Sequence, residues 1–229
     1  MFSNFILGQV QPSLKVHYSY SLNTEHFNEN KQKTGFEKLD SFSKEIILES
    51  IQIYDYIGAN MPYILLANQN ESIGFFENNI MLPEDLSSLQ KTLIQSTTKN
   101  SHYNHLKDSL NYTTIEVNKK KYNVKNHLPI WEITSETKTI QNFTCYKAKT
   151  ANGSVTAWFA PEIPTPFGPE KYFGLPGLIL QINRGSIQID AKEIQFNPNQ
   201  TYIIQKTEAT EITEEELQKI INQAKMNMH

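Results

Sequence analysis

Two glutamates, Glu162 and Glu170, bracket a proline-rich run, and six histidines are scattered through the chain. A carboxylate pair with a histidine in reach is the kind of set that moves protons in hydrolysis. Here no motif gathers such a set, and each glutamate reads equally as a cap or a solvated charge. Asp190 follows a strand pattern and reads as a rim charge. His102 and His105 stand three apart; on one helix face they could hold a metal. No third ligand lies at a familiar spacing, so we read them as solvated surface and expect no metal. Cys145 is the single cysteine and can form no internal disulfide. Phe143, Tyr146 and Ala148 around it suggest a strand, and with no histidine beside it the residue reads as a buried, inert thiol.

The compact catalytic motifs are missing: there is no G-x-S-x-G, H-E-x-x-H, G-x-G-x-x-G, phosphate loop with lysine, or C-x-x-C. A triad assembled from distant residues stays open. We assign no catalytic residue and expect no cofactor. A net charge of −3 argues against general nucleic-acid binding. No apolar run reaches the length needed to span a bilayer as a helix. The length of 229 residues suits one domain, and 12 Phe, 11 Tyr and 2 Trp supply bulk for its core.

The element that positions everything else is the stretch 155–183. It holds five of the ten prolines: Pro161, Pro164, Pro166, Pro169 and Pro176. Each fixes φ and removes a donor, so 161–169 is neither a helix interior nor a central strand. The segment reads as a stiff extended strap between the strands 154–160 and 178–182. Pro164, Gly168, Pro169, Gly174, Pro176 and Gly177 form its hinge, with glycine where φ must be positive. Trp158, Phe159, Phe167, Tyr172 and Phe173 lie on or beside the strap. With Glu162 they are the expected binding residues, against the plainer reading of a structural crossover.

The runs Ala157-Trp158-Phe159, Glu162-Ile163-Pro164, Gly168-Pro169 and Phe173-Gly174-Leu175-Pro176-Gly177-Leu178-Ile179-Leu180 resemble the signature of the GLPGLI family. Trp131-Glu132-Ile133, Cys145-Tyr146-Lys147-Ala148 and the region 63–72 resemble its approach to that signature. The resemblance implies an exported protein of Bacteroidetes-type bacteria, with no established molecular function. Members often carry Gly-Arg before the tryptophan strand; here the residues are Gly153-Ser154-Val155, so no role of that arginine carries over. The apolar start, 2–8, with Lys15 as the first charge, resembles the remnant of a secretory signal.

Around the strap the pattern is one of hairpins. Residues 14–22 alternate apolar and polar with period two, a half-buried strand. Residues 36–57 read as a helix capped by Asp40 or Ser41 and then a strand. Strands at 63–67 and 72–76 form a hairpin, and Pro83-Glu84-Asp85 opens a helix. Residues 112–117 pair with 122–124, and 143–150 with 154–160 through Asn152-Gly153. Further strands fall at 130–134, 186–189, 194–196 and 202–204. Thr213-Glu214-Glu215-Glu216 is a capping box opening a last helix.

The expected fold is mainly β (α+β). A single antiparallel, strongly curved sheet or half-barrel of about ten strands carries a C-terminal helix. The boundaries are a signal remnant at 1–9, a β domain at 10–206 and a helical tail at 207–229. The functional expectation is an exported protein, periplasmic or outer-membrane-associated, that binds an apolar ligand or an envelope protein partner without catalysis. A hydrolase using Glu162 or a remote histidine, and a purely structural envelope component, are the alternatives.

Overall fold

Strand β1 (Leu14–Leu22) shows why the sheet forms: its alternation buries Leu14, Val16, Tyr18 and Tyr20 on one face. The structure, a computed structural model, describes residues 13–23, 27, 36–77, 81–199 and 202–226. The expected leader at 1–9 lies outside them. Beside β1 run β2 (Tyr63–Ala67), β3 (Glu71–Phe76), β4 (Ser101–His105), β5 (Leu110–Val117) and β6 (Lys120–Lys125). On its other side run β11 (Ile187–Phe196), β10 (Leu178–Arg184), β9 (Val155–Ala160), β8 (Phe143–Thr150) and β7 (Trp131–Ile140). A twelfth strand, β12 (Thr210–Ile212), lies parallel to β6 at one edge.

The sheet is therefore a mixed one of 12 strands, where about ten and purely antiparallel pairing were expected. It is an open sheet, with β12 and β7 at its edges. Its curvature follows from chain length. β6 is second in the order and β7 last, ten steps away. At about 4.8 Å per step they would lie roughly 48 Å apart in a flat sheet. The five residues 126–130 that join them reach only about 21 Å, so the sheet must roll up. Asn111 Nδ2 on β5 donates to Lys171 O at 2.9 Å, and Trp131 Nε1 on β7 donates to Phe173 O at 2.9 Å. Strands near opposite edges thus meet the strap two residues apart.

Helix α1 (Ser41–Asn60) packs on β1. Asp40 caps it, accepting from Ser43 N at 2.9 Å. The expected change to a strand inside 36–57 does not occur. Ile53 and Ile57, four apart, both bury against the sheet, and that packing outweighs the β propensity of the isoleucines. Helix α2 (Ser88–Thr98) starts from a capping box of Ser87 and Gln90, a little after the expected Pro83 start. Helix α3 (Glu214–Met226) has the expected box: Glu216 N donates to Thr213 Oγ1 and Thr213 N to Glu216 Oε2.

Three local expectations are corrected. Residues 202–204 form no strand, because Ile204 inserts side-on against Ile64 and Leu66 in a second core on the outer face of β2. The tail beyond 207 adds β12 to the sheet as well as a helix. Residues 187–196 are one strand, broken neither at Asp190 nor at Ala191.

The strap's turn rests on two glycines for different reasons. Gly174 has φ +95°, whereas at Gly177 an added Cβ would lie 2.3 Å from the carbonyl oxygen of Ala160. Gly174→Ala is expected to cost about 1 kcal/mol through backbone strain. Gly177→Ala forces one backbone off another and is expected to cost about 3 kcal/mol. Thermal midpoints check the order; an unchanged midpoint for Gly177→Ala would remove the close approach from the account.

Candidate functional site

The strap leaves β9 at Pro161 and folds back on itself. Leu178 N donates to Ile163 O at 3.0 Å, Ile179 N to Phe167 O at 3.0 Å, and Gly174 N to Pro166 O at 2.8 Å. Prolines stiffen it, and these bonds fix its ends. Its rings then turn inward. Phe167, Tyr172 and Phe173 are buried in the main core, as is Phe159 on β9, and the rings of Phe167 and Phe173 stack at 6.2 Å. The rolled sheet encloses an interior, and the strap's side chains fill it.

Of the six residues expected to bind, only Trp158 and Glu162 reach the surface. Trp158 is half-buried, with Lys138 Nζ 4.3 Å from its ring centroid. Glu162 is exposed and accepts the Thr144 N–H at 3.1 Å. The six do not converge on one surface. His102 and His105 part company because β4 is a strand: His102 is buried, while His105 faces Asp108 at 3.0 Å. Cys145 is fully buried, and burial raises its thiol pKa. Among the described residues no three His, Cys, Asp or Glu side chains are grouped to hold a metal.

The chemistry gathers instead around Glu170, a residue with φ +54° that is only 9% exposed. Its Oε1 accepts from Tyr20 Oη and from Arg184 Nη2, each at 3.1 Å. Its backbone N–H donates to Tyr63 Oη at 2.9 Å, and that hydroxyl lies 3.1 Å from His102 Nδ1. The Tyr63 oxygen accepts from the Glu170 N–H, and among the described residues Nδ1 is the acceptor in reach of its own proton; with that assignment His102 is the neutral tautomer carrying its proton on Nε2. Burial lowers the His102 pKa to about 4. Burial alone would raise that of Glu170, but the Arg184 charge and the Tyr20 hydrogen bond outweigh it and hold the carboxylate below its ordinary value. Arg184 is raised chiefly by Glu170.

Sequence reasoning paired Glu170 with Glu162 and missed this partner. A signal was present: Arg184 is the only arginine among 21 basic residues. A planar guanidinium suits a buried carboxylate better than a lysine does.

Arg184 also borders the seam where the sheet's two halves approach. A cleft of about 910 Å³ opens there. Leu128, Pro129 and Ile130 of the β6–β7 connection form one wall, and the β8–β9 turn another. Lys171 and Tyr172 of the strap line it as well. Leu128 is 44% and Ile130 75% exposed. Arg184 Nε is buried with no hydrogen-bond partner among the described residues.

Comparison with known proteins bears on this region. A model of a family described as a protein of unknown function, Porph_ging, matches residues 150–181, from the β8–β9 turn through the strap into β10. No curated protein matches the chain. Among solved structures, those of PNGF-II in the C2 and P21 space groups are similar, with TM-scores of 0.56 and 0.57 and 14% identity. Each match covers 94% of this chain and 33% or 34% of the other. This chain thus spans about a third of those structures' length, and at such identity the likeness is one of fold.

The network predicts a pH dependence. The unfolded state protonates its histidine near 6.5, whereas folded His102 resists until about 4. Between those values the unfolded state binds more protons, so stability falls as pH falls, by at most about 1.4 kcal/mol per unit from this group. Glu170, depressed when folded, adds a further loss below its ordinary value. His102→Asn keeps an acceptor for Tyr63 and removes the titration. Urea unfolding at several pH values is expected to show a flatter slope for the variant between about 6.5 and 4; an unchanged slope would show that His102 is not held neutral.

Proposed function

We propose that this chain is a binding module whose site is the seam cleft, and that it takes an apolar ligand carrying an anionic group. The observation that carries the reading is the pairing, in one cleft, of exposed Leu128 and Ile130 with two basic residues, exposed Lys171 and part-exposed Arg184. Apolar walls supply affinity, and a few placed polar groups supply orientation. The volume falls within the range of about 300–1,000 Å³ typical of ligand pockets.

Binding is favoured over catalysis by the state of the titratable groups. A general acid or base works best with a pKa near the working pH. His102 is lowered to about 4 and Glu170 is held ionised by Arg184, so neither is poised to exchange protons near neutrality. Glu162, the candidate of the hydrolase reading, stands apart on the surface. The resemblance to the GLPGLI family and the family match on 150–181 fall on the same segment. That resemblance supports an exported protein, and no helix among the described residues is long and apolar enough to cross a membrane. Fractionation of native cells tests this placement: recovery in the cytoplasm would refute it.

Titration with cis-parinaric acid, a fluorescent fatty acid, tests the site. Saturable binding is expected, weakened about tenfold by Ile130→Ser, a loss of roughly 1.4 kcal/mol, and several-fold by Lys171→Gln. Both residues are exposed, so the fold should survive either change. Absence of saturable binding, as the purely structural reading predicts, would overturn the proposal. So would binding indifferent to both variants.

A further inference from the structure

On the other side of the Glu170–Arg184 pair lies a second recess, of about 280 Å³, bounded by α1, α2, α3 and the strands β3 to β6. Ser96, Lys171 and Glu214 stand exposed at its mouth, while His102 and Glu170 lie at its buried end. Two polar atoms of these buried residues have no protein partner and stay open to the recess. The Nδ1 edge of His102 is taken by Tyr63, and Nε2 has no hydrogen-bond partner among the described residues. Glu170 spends Oε1 on Tyr20 and Arg184, and Oε2 likewise has none. His102 is 8% and Glu170 9% exposed, and both line the same recess.

From this arrangement we infer that the recess is a binding site for a small neutral polyol, with one hydroxyl or an adjacent pair bridging His102 Nε2 and Glu170 Oε2. The complementarity is specific. Glu170 can only accept and His102 Nε2–H can only donate, while a hydroxyl does both. The charges lining the recess are Glu170 and Glu214 against Lys171 and Arg184, two of each sign. An anion would meet the carboxylates and a cation the basic pair; a neutral ligand avoids both costs. Thr97, Asn100 and Thr113 supply further polar contacts, and Tyr54 and Phe76 offer ring surface to C–H faces. By the share of volume a water takes, about 30 Å³, the recess holds about nine such groups. This site goes beyond the cleft proposed above, although Lys171 and Arg184 border both.

The test reads His102 directly. In ¹H–¹⁵N spectra of the whole chain, the imidazole signal of His102 is identified by its loss in His102→Asn. Titration with glycerol, myo-inositol and glucose is expected to shift the Nε2 resonance saturably for at least one, with a dissociation constant in the millimolar range. Sodium phosphate and tetramethylammonium are expected to leave it unmoved. Glu170→Gln should weaken the polyol effect at least tenfold. Should that variant fail to fold, Thr97→Phe, which narrows the recess without touching either polar group, should abolish it. A recess that holds water only would show no saturable shift with any polyol, and that result overturns the inference. It is also overturned if phosphate or tetramethylammonium saturates the site in place of a polyol, or if the effect survives both Glu170→Gln and Thr97→Phe. The cis-parinaric acid titration is a separate measurement, so either site can fail without the other.

Discussion

The burial of one carboxylate constrains this fold. A charge in the interior is tolerated only when paired and hydrogen-bonded. Glu170 meets that requirement through Tyr20 on β1 and Arg184 on β10, which bond its carboxylate, while Tyr63 on β2 accepts from its backbone N–H. The partners are far apart in sequence, 150 residues for Tyr20 and 107 for Tyr63. The strap can therefore be seated in only one way, with Glu170 at the junction. Its left-handed backbone there, costly for a residue with a side chain, is held by the same contacts.

The strap and the rolled sheet depend on each other. A short β6–β7 connection forces the sheet to curl, and a curled sheet leaves an interior that its own strands do not fill. Phe167, Tyr172, Phe173 and Leu175 occupy that space, and Tyr18 Oη closes the contact by donating to Ile179 O at 2.7 Å. Prolines limit the freedom of the unfolded strap, so less entropy is lost when it packs. The aromatic density that suggested a docking face from sequence is better explained as the filling of this interior.

The Glu170–Arg184 pair divides two recesses of opposite character. Toward the seam, Arg184 meets apolar walls; toward α2 and α3, Glu170 and His102 present polar atoms with no protein partner among the described residues. A buried pair of this kind does little for net stability compared with apolar packing.

Local chemistry made much of the architecture legible from residues alone. Alternation fixed β1, Asn152-Gly153 announced the β8–β9 turn, Thr213 and Glu216 announced α3, and the prolines with Gly174 and Gly177 announced the strap and its turn. These features depend on neighbours a few residues away, so the sequence states them directly. What it left undecided depends on distant partners. The continuation of α1 past Ile53, the parallel pairing of β12, the inward turn of the strap's rings and the meeting of His102, Glu170 and Arg184 were all settled by packing. A carboxylate and a histidine 68 positions apart carry no mutual pattern, and only the rolling of the sheet brings them into one recess.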